Sequence, residues 1–311
     1  MYALLLAALA VLAPSFHQGG NWRDILVGNA PLLLSATGMT LVVLTRHIDI
    51  SIGSQFAICG VVAGLLAKAG LPMAAVAFGT VGAGLAMGGV NALLVAFLGL
   101  PSIVATLATM VALREGLRWA TQGAWVENLP AGFQWFGAGQ AAGRWLIVAV
   151  ALAVFTAMAW ALTHLRAGRA VYATGSDAEA ARLLGVPARA TTALVFVVLG
   201  GLNALAALLS AVQFIDVQAG AGLGLELKVI AAVVVGGTAI TGGRGTALGT
   251  LLGVALLGTL GPALTFLGSH AYWERALQGA IILAAVATDA LSGRGGSSRP
   301  VDVSPESARA A

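Results

Sequence analysis

Ionisable residues are scarce in this sequence. Asp, Glu, Lys and Arg make up 9% of the 311 residues, whereas a soluble globular chain has about 25%. A water-soluble protein of this length must cover its surface with polar groups, so the composition excludes a water-soluble protein. The net charge is only +4 and the basic residues are scattered, so nucleic-acid binding is a poor interpretation.

Cysteine, histidine and catalytic motifs are also scarce. The single cysteine, Cys59, lies inside an apolar run, which excludes a disulfide or a thiolate metal site. The four histidines are far apart, there is no HExxH and no nucleophile elbow, and no Lys follows the glycine-rich stretches as a phosphate-binding loop requires. We therefore predict no enzyme activity, no metal, no other cofactor and no ATP site within this chain.

What the sequence has in excess is apolar residues, at 59% with a mean hydropathy of +0.94. Apolar runs of about 20 residues recur from end to end, the length that crosses a hydrocarbon core of about 30 Å. We predict an all-α, polytopic bundle of about ten spans. The predicted segments are 2–16, 27–45, 51–67, 72–98, 102–120, 145–163, 191–212, 229–240, 246–267 and 273–291.

Two of these segments are short. Segment 2–16 is compatible with a signal peptide, although a short first helix fits better. Segment 229–240 leads into a glycine cluster, which favours either a helix broken within the membrane or a tight cytoplasmic turn. Both interpretations rest on the same glycines, namely Gly236, Gly237, Gly242 and Gly243.

The distribution of arginine and tryptophan predicts that both termini are cytoplasmic. The longest charged connection, 164–190, is then cytoplasmic, and the nearly uncharged loop 121–144 with Trp125 and Trp135 lies outside. The predicted organisation is one transmembrane domain, 1–292, followed by a disordered cytoplasmic tail, 293–311.

The stretch RAGRAVYATGSDAEAARLLGVPARA (166–190) contains a short helix of its own. Ser176 is predicted to cap this helix, with Glu179 reaching back in a capping box. Asp177 and Arg182 complement the helix dipole, and Gly185 ends the helix. A helix of about eight residues is marginal alone. It is therefore either packed on its own bundle or is a docking helix for a cytosolic partner.

Several stretches resemble one family of membrane proteins. GSDAEAARLLGVP (175–187) is similar to the coupling loop of ABC importer permeases. GMTLVVLTRHIDISIGS (38–54), PSIVATLATMVALREGL (101–117) and GLELKVIAAVVVGGTAITGGRGTALGTLLGVALLGTL (224–260) resemble segments of the ribose, rhamnose and autoinducer-2 type permeases. The match runs in order over nearly the whole chain. His47 departs from it, since glycine is common there.

The resemblance implies a bacterial inner-membrane permease with three kinds of protein partner. These are an ABC ATPase subunit that binds ATP, a second permease subunit, identical or a sister chain, and a periplasmic substrate-binding protein. The residues that the resemblance assigns to ATPase coupling are Gly175, Ser176, Asp177, Glu179, Ala180, Arg182, Leu183, Leu184 and Gly185.

The resemblance also implies a small, uncharged, sugar-like solute such as rhamnose, ribose or autoinducer-2. A branched-chain amino-acid permease is the nearest alternative. An ion-coupled secondary transporter or channel is a second one, although such proteins concentrate ionisable residues at mid-membrane and this sequence has few there.

Asp49, Ser51 and Gly53 form a polar break in RHIDISIG. Asp49 is expected either to cap the third helix or to pair with Arg46, and Gly53 to allow a close approach between helices. Both roles are structural rather than direct solute contacts.

Five further polar residues are candidates for the translocation path. Arg114 and Glu115 are adjacent ionisable residues in an apolar run, and serve either at the mouth or gate of the path or as interfacial anchors. Gln55, Asn91 and Asn203 either make interhelical hydrogen bonds or line the path.

Overall fold

The structure, a computed structural model, describes residues 2–268 and 272–294, and within these ranges it has helices and no strand. The predicted all-α fold is confirmed. The helices are α1 (Tyr2–Leu12), α2 (Gly19–Leu44), α3 (Ile52–Lys68), α4 (Met73–Ala92), α5 (Ser102–Thr121), α6 (Gln140–His164), α7 (Arg166–Ser176), α8 (Ala178–Leu183), α9 (Ala188–Ala211), α10 (Leu225–Val235), α11 (Ala247–Phe266) and α12 (Tyr272–Arg294).

Proline and glycine determine several helix boundaries. Pro72, Pro101 and Pro187 immediately precede α4, α5 and α9, where a missing backbone N–H costs nothing because the first helical amides have no intrahelical acceptor. Gly70 and Gly185 adopt positive φ two residues beyond the ends of α3 and α8. Only glycine takes up that conformation without strain, so these sequence signals stop the helices where they do.

The core is built around α2 and α9. Helix α2 is buried without interruption from Ala30 to Leu44, and it packs against α6, α9, α10 and α11. Helix α9 packs against α2, α3 and α4. A helix that is apolar on all sides is one that is surrounded by other helices or by lipid, and α2 is the clearest case here.

Glycines four residues apart, at 60/64, 84/88 and 249/253, predict packing seams between helices, and two of these three pairs bring helices into close contact. A Cβ on Gly88 of α4 would stand 2.5 Å from the backbone oxygen of Phe196 in α9. Gly249 and Gly253 of α11 approach the backbone of Gly236 and Ala232 at the end of α10 in the same way. Gly60 and Gly64 were expected to form a similar seam, but they face side chains of two loops instead.

The predicted count of ten spans is not confirmed. Among the residues that the structure describes, five helices are long and apolar enough to cross a membrane, namely α2, α4 with its extension to Phe97, α6, α9 and α11, and α3 is a shorter apolar helix. Segment 229–240 is not a full span. Helix α10 ends at Val235 after 11 residues, about half of what a crossing needs. Gly236, Gly237, Gly242 and Gly243 form a turn before α11 rather than a break within one helix.

Two loops pair with each other at one end of the bundle. Residues 122–139, between α5 and α6, and residues 212–224, between α9 and α10, are joined by a short antiparallel bridge. Val126 and Val217 exchange backbone hydrogen bonds of 2.9 and 3.1 Å, and the amide of Trp135 donates to the carbonyl of Val212 at 2.8 Å. We call these segments the paired loops. The predicted tail begins at residue 293, and its residues after Arg294 lie outside the described part of the chain.

Candidate functional site

The predicted coupling loop consists of two helices rather than one. Helix α7 runs to Ser176, Asp177 is extended (φ −158°), and α8 follows as a six-residue helix. The Asp177 carboxylate accepts hydrogen bonds from the amides of Glu179 (2.9 Å) and Ala180 (3.0 Å). Asp177 is therefore the cap of α8.

The predicted capping box is wrong for the same reason. A cap residue has non-helical backbone angles, whereas Ser176 is the last residue of α7. Glu179 does not reach back to a cap amide. It pairs instead with Arg182, one turn later on the exposed face of α8, at 2.6 Å. The predicted stop at Gly185 is confirmed by its φ of +80°.

Helix α8 presents two unshielded leucines. Leu183 and Leu184 are 76% and 84% exposed, whereas Ala181 is buried against the rest of the chain. The two amide hydrogen bonds lower the pKa of the exposed Asp177 carboxyl below its ordinary 3.8, so the cap is ionised at neutral pH. Exposed leucines on a locally capped helix fit a partner-docking surface, which remains a prediction.

Arg46 links this loop to the break between α2 and α3. Its Nε donates to the carbonyl of Gly175 at 2.5 Å and its guanidinium also donates to the carbonyl of Ser176, so it binds the last carbonyls of α7. Arg46 has a φ of +66°, a conformation uncommon outside glycine. The predicted alternative in which Arg46 pairs with Asp49 is wrong, because the guanidinium points to α7.

The glycine turn before α11 completes this junction. The amide of Gly243 donates to the carbonyl of Leu44 at 2.9 Å, and the hydroxyl of Tyr172 in α7 donates to the carbonyl of Gly245 at 2.8 Å. A Cβ on Gly175 would collide with the Leu44 carbonyl and a Cβ on Gly242 with the Arg46 side chain. The ends of α2 and α7 and the turn after α10 are therefore locked together by backbone contacts that need glycine.

Asp49, three residues after Arg46, is the centre of a buried polar cluster. It is 0% exposed. One carboxylate oxygen accepts from the amide (2.8 Å) and hydroxyl (2.6 Å) of Ser51, and the other accepts from the amides of Asn91 (2.9 Å) and Gln55 (3.3 Å). Of the amide hydrogen bonds predicted for Asp49 as a cap, the one from Ser51 is present, but Ser51 itself is the N-cap residue of α3. The carboxylate also accepts from side chains of α3 and α4.

Further residues tie this cluster to α5 and α9. Thr109 of α5 donates to Asn91 at 2.9 Å. Asn203 of α9 donates to the carbonyl of Ile52 at 2.8 Å and accepts from Ser35 at 2.8 Å. Asn91 and Asn203 therefore make the interhelical hydrogen bonds that were one of their two predicted uses. Gln55 instead donates to Asp49 and Ser51 at the start of its own helix. That Gln55, Asn91 and Asn203 also line the path stays a prediction.

Arg114 and Glu115, though adjacent, face different surroundings. Glu115 pairs with Arg118 at 3.2 Å on the exposed face of α5. The half-buried Arg114 turns inward, its Nη2 3.3 Å from where a Cβ on Gly53 would stand, and the carboxylate of Glu226 lies beside the same point. Gly53 allows the close approach predicted for it, here of the segment that begins α10. A gate role for Arg114 remains a prediction.

Sequence reasoning missed three contributors. Thr109 and Glu226 carry no motif signal, because each gains meaning only from a neighbour in another helix. Arg46 was identified only as a possible partner of Asp49, and its real partners lie 129 and 130 residues away in the chain. In the described part of the chain no group of three His, Cys, Asp or Glu side chains could hold a metal ion.

Comparison with known proteins identifies the family. The family model described as branched-chain amino acid transport system / permease component matches residues 22–286. The autoinducer 2 import system permease protein LsrC of Escherichia coli is 40% identical over 265 residues, 83% of this chain and 75% of that protein. LsrC of Salmonella typhimurium is 37% identical over 262 residues, 83% of this chain and 74% of that protein.

A third relative covers still more of the chain. The ribose import permease protein RbsC of Escherichia coli is 35% identical over 291 residues, 92% of this chain and 90% of that protein. No solved structure matches. The relatives are permeases rather than enzymes, and the chain has several helices able to cross a bilayer, as a multi-pass inner-membrane protein does. The chain belongs to the family of permease components of the branched-chain amino acid transport system type.

Proposed function

We propose that this chain is the transmembrane subunit of an ATP-driven ABC importer, and that α8 docks onto the ATPase subunit. The docking proposal is carried by two exposed leucines at the end of α8. Asp177 caps this helix, and Arg46 ties the preceding end of α7 to the bundle. A six-residue helix has little stability alone. Its cap and its junction hold it in place, so that its apolar side is available to a partner.

The proposed solute is small, uncharged and sugar-like. The relatives described above are named for import of autoinducer 2 and of ribose, and the chain offers few ionisable groups that would compensate a charged solute. The family description names branched-chain amino acids, so such an amino acid is the alternative solute, and leucine is compared with ribose in the thiol-protection experiment for this reason.

The proposed assembly follows the sequence expectations. Both termini and the loop containing α7 and α8 lie in the cytoplasm, and the paired loops lie on the opposite side. A second permease subunit completes the path, and a soluble periplasmic protein delivers the solute. The exposed tryptophans Trp119 and Trp125, at and beyond the end of α5, fit the placement of that end at a membrane interface, because tryptophan is enriched at both interfaces.

The route from α8 into the bundle has three steps. Movement of α8 displaces the end of α7, to which it is joined through Asp177. The end of α7 is held by Arg46 and by the glycine turn. Arg46 in turn precedes the Asp49 cluster, which joins α3, α4 and α5. Two discrete arrangements of this junction would open the path to one side or the other.

Crosslinking tests the proposal. We would place a cysteine at Leu183 in a Cys59→Ser background and crosslink membranes that contain the cognate ATPase subunit, with and without ATP. We expect a crosslink whose yield depends on nucleotide. Glu127→Cys, an exposed position in the paired loops, is the matched control and should give none.

Absence of a crosslink at Leu183 and at Leu184, in membranes where both proteins are folded, would contradict the docking role. An ion-coupled transporter would then be the better explanation. Uptake that depends on a proton or sodium gradient and is indifferent to ATP would establish that alternative directly.

A further inference from the structure

A cavity of about 310 Å³ lies between α3, α9 and the paired loops. Its volume is at the lower end of the range for small-molecule sites, roughly 300–1,000 Å³. The residues that matter for its chemistry are three aromatic side chains and three polar ones. They are Phe56, Trp125, Phe214, Ser210, Asp216 and Gln218.

The polar side chains of this cavity have no partner within the part of the chain that the structure describes. Asp216 is half-buried, and its carboxylate makes neither a hydrogen bond nor an ion pair there. The Ser210 hydroxyl and the Gln218 amide are equally unpaired. An ionised carboxylate can only accept hydrogen bonds, so Asp216 offers its two oxygens to a bound molecule that has donors.

The aromatic side chains offer a complementary surface. Trp125 and Phe214 lie in the paired loops, and both side chains are more than half exposed. Aromatic faces pack well against the C–H face of a sugar ring, which combines apolar area with hydroxyl groups at its edge. The α-ammonium group of a branched-chain amino acid could also donate to Asp216, but such a solute has no ring face for Trp125 and would bring a second carboxylate beside Asp216.

The backbone holds these groups in place without a ligand. Val126 and Val217 form the bridge between the paired loops. Trp125 directly precedes Val126, and Asp216 and Gln218 lie on either side of Val217. Phe56, buried in α3, separates this cavity from a larger one of about 740 Å³ that contains Lys228 and Glu274. The bridge between the paired loops thus fixes the backbone positions of the groups that line the small cavity.

We propose that this cavity is a subsite for an uncharged, hydroxyl-rich solute on its way into the path. Trp125 packs against the ring, Asp216 accepts hydrogen bonds from two hydroxyls, Ser210 and Gln218 hold others, and Phe56 forms the barrier to the next cavity. The inference rests on the proposed function, and it adds the place where the solute is held and the residues that recognise it.

Thiol protection tests occupancy directly. Ser210→Cys in a Cys59→Ser background places one thiol in the cavity of the purified full-length permease. We expect D-ribose, up to tens of millimolar, to slow its modification by a small thiol reagent, and leucine at equal concentration to leave the rate unchanged. Glu127→Cys, on the loop that carries Trp125 but outside the cavity, should be modified at the same rate with and without either compound. Protection by leucine alone, or by neither compound, would overturn the subsite.

Transport separates the subsite from a docking surface for the binding protein. In the complex with the ATPase and ribose-loaded binding protein, Asp216→Asn and Trp125→Ala should lower ribose uptake by roughly tenfold. Stimulation of ATP hydrolysis by the loaded binding protein should remain. Trp125→Phe should keep much of the uptake, and Trp119→Ala, an exposed tryptophan outside the cavity, should keep all of it.

Loss of stimulation together with uptake in Asp216→Asn and Trp125→Ala would assign this surface to protein docking and overturn the subsite. Unchanged uptake in both variants would overturn it as well. Absence of ATP-driven uptake by the wild-type complex would contradict the proposed function. The thiol-protection experiment requires no ATPase, so its result would still decide whether the cavity binds the solute.

Discussion

The break between α2 and α3 and the helix α8 are both short irregular regions, but they are stabilised in opposite ways. Asp49 at the break is completely buried, and side chains of α3, α4 and α5 make hydrogen bonds within its cluster. Helix α8 holds itself together with the Asp177 cap and exposes two leucines. The first region depends on the whole bundle, whereas the second needs only its own residues and one junction.

This difference teaches where change is tolerated. A buried, fully connected polar network is costly to break because each orphaned group remains away from water. An exposed capped helix loses little when one surface contact is removed, since water replaces the lost partner. The comparison therefore predicts large effects at the break and small ones on α8, with Arg46 as the element that connects them.

The largest effect is expected for Asp49→Ala. The substitution removes the acceptor for Ser51, Gln55 and Asn91 and leaves their donors buried, at about 1–3 kcal/mol for each donor without a partner. We expect a marked fall in the melting temperature of the detergent-purified protein. Asp24→Ala is the control, because Asp24 pairs with Arg144 at an exposed position. Equal melting of the two variants would contradict the cluster's structural role.

Two neighbouring glycines of α4 give the next effect. A Cβ on Gly88 would meet the Phe196 backbone of α9, whereas one on Gly89 would meet nothing within 4 Å. Gly88→Ala should therefore destabilise the protein by about 1–3 kcal/mol through overpacking. Gly89→Ala should be neutral or slightly stabilising. The measurement is thermal unfolding of both variants side by side, and the reverse order would refute the α4–α9 seam.

On the exposed side, Asp177→Ala should loosen α8 without unfolding the bundle. Amide exchange at residues 178–184 should quicken at neutral pH, and Asp177→Asn should restore most of the protection because Asn also caps helices. The folded-state pKa of Asp177 is lowered, so its contribution is complete above pH 3.8 and is lost as the pH falls through the lowered pKa. Exchange that is equal in all three proteins would mean that the cap does not hold α8.

The smallest effect is expected for Glu179→Gln. The ion pair with Arg182 is two-thirds exposed at both ends, and such pairs contribute little in water. Melting temperature and amide exchange of α8 should match the wild type within error. A change as large as that of Asp177→Ala would show that the pair, rather than the cap, determines the helix.

The sequence predicts those features whose signals are local. Helix starts at Pro72 and Pro101, the stop at Gly185 and the seam at Gly88 follow from one residue type and its spacing. The division of the coupling loop into α7 and α8 was not predicted, because Ser176 and Asp177 are both good caps. Which of them caps α8 depends on how far α7 continues against the bundle.

Features that need two distant segments were out of reach. The contact between Arg46 and Gly175, like that between Asn91 and Thr109, depends on how the helices pack. The sequence does not indicate which helices are neighbours in space. The predicted span count is not confirmed for a related reason, since α10 has an apolar sequence yet ends after 11 residues. Its last carbonyls meet a glycine turn that other segments hold in place.

The central claim is that Arg46 carries motion from α8 into the bundle, and Arg46→Ala tests it most directly. In the assembled transporter we measure the nucleotide-sensitive crosslink at Leu183→Cys and solute uptake in the same membranes. Arg169→Ala is the matched control, because Arg169 also donates to a backbone carbonyl of its own loop, that of His164. We expect Arg46→Ala to keep the crosslink and to lose most of the uptake, and Arg169→Ala to keep both. Uptake that persists in Arg46→Ala, or a crosslink lost together with it, would contradict this account.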